Sequence, residues 1–145
     1  MRTKIFLDQL DHDRIVRAIK DAEAKTSGQI RIYVQRGELD GDAFDYAQRK
    51  FRLLGMEQTR ERNAVLIFVA PRARKFAVIG DEGVHQKCGD EFWQELVDRM
   101  RVHFQNEHFT DALVEAIESA GQLLARHFTR TAASKNELPD EVIEG

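Results

Sequence analysis

The sequence has little of several features that would point to a particular class of protein. Cys88 is the only cysteine among 145 residues, which excludes an intrachain disulfide and a four-cysteine zinc site and is typical of a reducing compartment. The 22 basic side chains are outnumbered by 25 acidic ones, and they are scattered among acids rather than gathered on one face. We therefore predict a cytoplasmic protein that has no nucleic acid partner.

Long apolar runs are also missing. The apolar start Ile5, Phe6 and Leu7 stops at Asp8, which is too short for a signal-peptide core, and no run approaches the ~20 residues that cross a bilayer. The chain also has no glycine-rich phosphate loop and no nucleophile elbow. We therefore expect a soluble chain without an export signal, without a transmembrane segment and without a complete catalytic set.

What is present is the composition of a globular protein with a highly charged surface. Hydrophobic residues make up 42% of the chain and charged residues 32%. The length of 145 residues suits one domain with one substantial core. The run 64–70 (A-V-L-I-F-V-A) is apolar throughout, which predicts a central strand covered on both faces.

The apolar pattern alternates between periods of 3.6 and 2 residues, which predicts an α/β fold. Strands 64–70 and 75–80 are expected to form a hairpin, and a helix between strand 30–34 and strand 64–70 favours a parallel crossover. The predicted elements are helix 8–25 (beginning at Asp8 or Asp11), half-covered strand 30–34, helix 42–55, strands 64–70 and 75–80, a helix from about Asp90, and a helix capped by Thr110.

Residues 1–128 are therefore predicted to form a single domain and residues 129–145 a flexible C-terminal tail. The tail contains a short segment of apolar and acidic residues, Leu138 to Ile143. Two alternatives stay open for this segment. It adds a strand to a sheet edge of this chain or of a partner, or it is a disordered end.

The residues at the joints of these elements resemble the TPM domain family. The matching stretches are Ile15 to Val34, Thr59 to Val69 (T-R-E-R-N-A-V-L-I-F-V) and Ile79 to Val84 (I-G-D-E-G-V), and the likeness continues through Phe109 to Phe128. The resemblance covers roughly residues 11 to 128. It implies a three-layer α/β/α sandwich around a small mixed β-sheet, in the order α-β-α-β-β-α-α.

The resemblance also implies several functions. Members of the family are often anchored in membranes or exported, some are linked to the assembly or repair of membrane complexes, and some are associated with divalent cations or with weak acid phosphatase activity. This chain lacks both a signal and a membrane helix, which puts a membrane role in doubt.

The predicted hairpin brings two loops together at one edge of the sheet. Because its strands are antiparallel, Asp81 and Glu82 should lie near Thr59, Arg62 and Asn63. The two carboxylates supply the hard oxygen ligands that Ca²⁺ or Mg²⁺ prefers, and the other three residues are candidates for binding a ligand or an anion. The alternative is a structural role, in which Asp81 caps backbone groups and pairs with Arg62.

Asp111, at the start of the last predicted helix, is expected at the same edge as a third candidate metal ligand. Since no complete catalytic set is found, the leading hypothesis is a non-enzymatic interaction or assembly module with an unknown protein partner. No cofactor is required in this hypothesis, although a weak Ca²⁺ or Mg²⁺ site is allowed. The alternative is a weak acid-phosphatase-like hydrolase that uses Arg60, Arg62 and Asp81.

Overall fold

The computed structural model describes residues 1–89, 91–131, 138, 140 and 142–145, with the backbone alone described for residues 91 and 92. Its helices are α1 (Thr3–Gln9), α2 (His12–Glu23), α3 (Ala43–Leu53), α4 (Glu82–Cys88), α5 (Glu91–Gln105) and α6 (Phe109–His127), with a 3₁₀ turn at Met56–Gln58. Its strands are β1 (Gln29–Val34), β2 (Ala64–Ala70), β3 (Lys75–Gly80) and β4 (Val142–Glu144).

The four described strands form one mixed sheet in the order β3-β2-β1-β4. Strands β1 and β2 are parallel, with Ile30 opposite Val65, and β2 and β3 are antiparallel, with Val65 opposite Gly80. The predicted hairpin and the predicted parallel crossover are therefore confirmed.

The sheet is covered on both faces, which confirms the three-layer sandwich. The alternating side chains of β2 explain this, since all seven of its residues are buried. Val65, Ile67 and Val69 pack in the larger core with α1, α2, α5 and α6, while Leu66 and Phe68 pack in the smaller core against α3.

Strand β1 differs from the expectation of a half-covered strand. Ile30, Ile32 and Val34 contribute to the larger core as predicted, but Tyr33 is also buried, because its ring stacks on Phe68 beneath α3. The prediction was wrong because α3 covers the second face of the sheet at Tyr33.

Three short elements are absent from the predicted order. Helix α1 was not predicted, whereas the predicted helix start at Asp11 is confirmed, because Asp11 caps α2 through the backbone N–H of Arg14. Helix α4 follows β3, where only a turn was expected, and β4 lies in the predicted tail. Helix α6 begins after His108, not after Thr110, whose hydroxyl instead accepts a hydrogen bond from the backbone of Asp11.

The helices carry no membrane span: in the described ranges, none is both long and apolar enough to cross a bilayer.

Candidate functional site

The two loops predicted to meet at the edge of the sheet do meet, through an ion pair between Arg62 and Asp81. The Nε of Arg62 lies 2.8 Å from Oδ2 of Asp81, and its Nη2 lies 2.9 Å from Oδ1. The Asp81 side chain is 5% exposed and that of Arg62 is 43% exposed. This two-pronged arrangement is the geometry in which guanidinium and carboxylate groups bind most specifically, and it raises the pKa of Arg62 still further.

Backbone contacts hold the two loops in this position. The N–H of Asp81 donates to the carbonyl of Ala64 (2.9 Å), and the N–H of Gly83 donates to the carbonyl of Arg62 (2.9 Å). A Cβ at Gly83 would lie 2.5 Å from the carbonyl oxygen of Glu61 and 2.7 Å from that of Arg62, so only glycine fits. Gly83 therefore lets the first turn of α4 press against the loop before β2.

Asp81 also begins α4. Its Oδ1 accepts a hydrogen bond from the backbone N–H of Glu82 at 2.7 Å, which stabilises the first turn of this seven-residue helix. Trp93 of α5 packs over the preceding Gly80, where an added Cβ would lie 3.0 Å from its ring. The structural role proposed for Asp81 is thus realised, because both of its carboxylate oxygens are bound by protein groups.

Thr59 and Asn63 shape the same loop from inside. Both are buried, and the Thr59 hydroxyl accepts a hydrogen bond from the backbone N–H of Asn63 at 3.3 Å. The side-chain amide of Asn63 donates to the Ser27 hydroxyl at 3.1 Å, and its Oδ1 is buried without a hydrogen bond from any described residue. With side chains this enclosed, Thr59 and Asn63 stabilise the loop between α3 and β2 and do not line an open ligand site.

Glu82 lies beside the ion pair and points to solvent. Its side chain is 63% exposed, with Oε2 at 3.6 Å from Nη1 of Arg62. The amide of Gln86 donates to its Oε1 at 3.4 Å across one turn of α4. Glu82 therefore extends the Arg62–Asp81 pair as a surface contact.

Asp111 does not reach this edge, so that expectation was wrong. Its Oδ1 lies 2.8 Å from Nη1 of Arg14 in α2, and this guanidinium lowers the pKa of the Asp111 carboxyl. The end of α6 that approaches the edge is the other one, since Lys87 of α4 donates to the carbonyl of His127 at 3.4 Å. The 19 residues of α6 span about 28 Å, so Asp111 sits at the far end of the sheet.

The arrangement at this edge favours an ion pair over metal binding. A cation at Asp81 would compete with Arg62 for both carboxylate oxygens, and the described residues include no group of three His, Cys, Asp or Glu side chains placed to hold one ion. The expected weak Ca²⁺ or Mg²⁺ site therefore stays a prediction.

A second buried carboxyl group lies nearby and was missed in the sequence. Glu23, in the last turn of α2, is 5% exposed, and its Oε2 accepts the backbone N–H of Ile30 at 2.8 Å. Burial, together with a hydrogen bond to Asp140, raises the pKa of Glu23 to about 9. Glu23 follows Ile15 and Ile19 at helical spacing, so an acid on the apolar stripe was the available signal.

The C-terminal residues form a strand on the β1 edge, which confirms the alternative of an added strand in this chain's own sheet. Strand β4 runs parallel to β1, with Ile32 opposite Val142 and Val34 opposite Glu144. The N–H of Gly145 donates to the carbonyl of Val34 at 3.0 Å. Residues beyond position 131 therefore include part of the folded sheet.

Comparison with known proteins agrees with this architecture. The sequence model of the TPM domain matches residues 3–123. The NMR structure of BA42 protein from the psychrophilic bacterium Bizionia argentinensis is 35% identical, covers 94% of this chain and 96% of its own, and superposes with a TM-score of 0.85.

Two further solution structures share the fold at lower identity. The N-terminal domain of cg2496 protein from Corynebacterium glutamicum is 19% identical, covers 86% of this chain and 76% of its own, and has a TM-score of 0.61. An N-terminal domain from P. gingivalis is 21% identical, covers 82% of this chain and 76% of its own, and has a TM-score of 0.56. No curated protein matches the sequence. On the extent of the domain match and the 35% identity to BA42, the chain belongs to the TPM domain family.

Proposed function

We propose that this TPM-domain chain is a non-enzymatic interaction module that binds an extended peptide along the β1 edge of its sheet. The observation that carries the proposal is that β4 already occupies this edge as a bound segment. Strand β4 therefore shows the type of peptide that we propose binds at this edge.

The β1 edge offers two kinds of contact to an added strand. Main-chain pairing runs from Ile32 to Val34, which supplies affinity that does not depend on sequence. Neighbouring side chains of the added strand then point to opposite faces, so Val142 packs against the larger core and Ile143 against the smaller one. Two consecutive apolar residues are therefore favoured in the bound segment.

Glu144 and Gly145, which follow the apolar pair, define which residues are favoured next in the bound segment. Glu144 Oε2 lies 3.6 Å from Nη2 of Arg36, so an acid is favoured after the apolar pair. A Cβ at Gly145 would collide with the Tyr33 side chain, so glycine is favoured at the next position. The expected ligand is an extended segment of two apolar residues, one acid and one glycine.

Exchange of the bound segment is feasible because the strand is short. Strand β4 has three residues, and before it Leu138 is held by a hydrogen bond from its N–H to the side-chain oxygen of Gln29 at 3.0 Å. The intramolecular strand has an effective concentration on the order of millimolar, so a partner must displace it or find it released. We therefore expect the C-terminal strand to act as an internal competitor.

A peptide of residues 138–145 tests the proposal. Replacing Ile143 by proline in the full chain removes a backbone N–H from β4 and should release it while leaving β1 intact. We expect this variant to bind the fluorescently labelled peptide, measured by anisotropy, at least about tenfold more tightly than the unaltered chain does. A peptide with Gly145→Ala and a scrambled peptide are the matched controls and should not bind.

The proposal fails if the Ile143→Pro chain stays folded by circular dichroism but gains no affinity, or if the Gly145→Ala peptide binds equally well. If the proline variant melts below the assay temperature, Gly145→Ala in the full chain replaces it, because that change alters only the last residue.

The other expectations stand as proposals in their own right. Independence from a required cofactor stays a proposal, and the occupation of both Asp81 oxygens by Arg62 argues only against a cation at that carboxylate. The same ion pair leaves the acid-phosphatase alternative without a specific observation in its favour. Cytoplasmic location and the absence of a nucleic acid partner rest on composition alone.

A further inference from the structure

A groove of about 500 Å³ lies at the end of the sheet opposite Asp81, where β2 ends at Ala70 and the turn to β3 begins. This is the carboxyl end of the parallel pair β1 and β2, the usual location of ligand sites in open α/β sheets. The volume falls within the range of small-molecule sites. The groove is separate from the β1 edge, so the inference below goes beyond the proposed function.

The floor of the groove is aromatic. It is formed by one phenylalanine from each of four elements: Phe6, Phe76, Phe104 and Phe109. The ring centroids of Phe6 and Phe109 lie 5.0 Å apart, and those of Phe76 and Phe104 lie 5.1 Å apart. Phe6 is fully buried against the rings of Phe104 and Phe109, and these two rings and that of Phe76 are only partly buried. The floor is thus a preformed apolar surface that is held by the core and still open on one side.

The rim of the groove is mainly basic. Arg74 and Lys75, in and just after the turn, are both exposed, and neither forms an ion pair with a carboxylate in the described part of the chain. Arg101 also lines the groove and pairs with Asp98 on its own helix at 3.4 Å. Glu107 is the one acid among the residues found to line it. The rim therefore complements a negatively charged group.

We propose that this groove binds a small amphipathic anion, namely an unbranched alkyl chain that ends in a carboxylate. The alkyl chain lies on the partly buried rings of Phe76, Phe104 and Phe109, and the carboxylate lies between Arg74 and Lys75. A concave groove of this volume accommodates such a molecule, whereas contact with a membrane surface would need the rings to project outward. The occupant is therefore a free molecule and not a lipid bilayer.

Sodium decanoate, below its micelle concentration, is the probe for the full 145-residue chain. Isothermal titration calorimetry should give saturable binding with one molecule per chain. The decyltrimethylammonium cation, which has the same alkyl chain and the opposite charge, should bind at least about tenfold more weakly. Acetate, which has the carboxylate alone, should not bind measurably.

Charge reversal at the rim tests the site itself. The double variant Arg74→Glu, Lys75→Glu changes only exposed side chains, and it should remove the preference for decanoate over decyltrimethylammonium. Arg52→Glu, an exposed reversal on α3, is the matched control and should leave both affinities unchanged. Circular dichroism establishes that all variants are folded.

Three results would overturn the proposal. The first is an absence of saturable decanoate binding by the unaltered chain. The second is equal affinity for the anionic and the cationic probe. The third is sedimentation of the chain with anionic vesicles together with weak binding of free decanoate, which would make the groove a membrane contact.

Discussion

Replacing the buried Glu23 by glutamine should make the chain more stable at neutral and alkaline pH. In the folded chain the pKa of Glu23 is raised to about 9, chiefly by burial, with a contribution from Asp140. Glutamine keeps an oxygen to accept the Ile30 N–H and cannot ionise. The variant therefore removes the effect of Glu23 ionisation on stability and retains the hydrogen bond from the Ile30 N–H.

The folded and the unfolded chain release the Glu23 proton at different pH, which sets the direction in which stability changes with pH. Below pH 4.5 the carboxyl is protonated in both the folded and the unfolded chain, so its favourable contribution is fully present. Between pH 4.5 and about 9 only the folded chain keeps the proton, and the free energy of unfolding falls by about 1.4 kcal/mol per pH unit. From pH 5 to pH 7.5 the free energy of unfolding therefore falls by about 3 kcal/mol.

Urea unfolding followed by far-ultraviolet circular dichroism, from pH 5 to pH 9, measures this difference. Glu23→Gln and the unaltered chain should be similar at pH 5, and their stabilities should diverge steadily as the pH rises. Glu118→Gln, an exposed change on α6, is the control and should follow the unaltered chain. Parallel profiles for Glu23→Gln and the unaltered chain would refute the reasoning.

Three further predictions concern the edge around Asp81. Gly83→Ala should lower the free energy of unfolding by about 2 kcal/mol or more in urea titrations, because its Cβ would meet backbone oxygens, whereas Gly41→Ala, which has open space around it, should change it little. Asp81→Ala should lower the free energy of unfolding by about 1–2 kcal/mol, because the α4 cap is lost, and Asp81→Asn should lower it by less. An equal decrease in the two variants would argue against capping. Melting temperatures in calcium and in chelator should agree, because Arg62 occupies both Asp81 oxygens, and a higher melting temperature in calcium would establish the cation site. No saturable phosphoester turnover should appear with Ca²⁺, Mg²⁺ or Mn²⁺, and turnover that Asp81→Asn abolishes would establish the hydrolase.

The parts of the fold that were predictable are those coded by nearby residues. The seven buried positions of β2 form an unbroken apolar run, and Asp42 caps α3 as its sequence indicates. The meeting of Arg62 and Asp81 followed from a single tight hairpin, because the register of β2 and β3 fixes which residues share an edge. Short-range patterns were sufficient for these features.

The features that were missed depend on residues far apart in the chain. The raised pKa of Glu23 depends in part on Asp140, and the aromatic groove combines rings from four elements, so no local window contains either feature in full. Helix α4 was hidden because Gly83 resembles a turn residue, although its actual role is close backbone contact. Asp111 was misplaced because helical periodicity does not state which end of α6 approaches Asp81.

The packing of Trp93 over Gly80 gives the chain a built-in optical probe. Trp93 is its only tryptophan and is almost completely buried at the Asp81 edge, so its emission should shift to longer wavelength when water reaches that edge. The residues found to line the groove include no tryptophan or tyrosine, so a ligand there should leave this emission nearly unchanged. One fluorescence titration can thus separate loosening of the Arg62–Asp81 junction from occupation of the groove without any label.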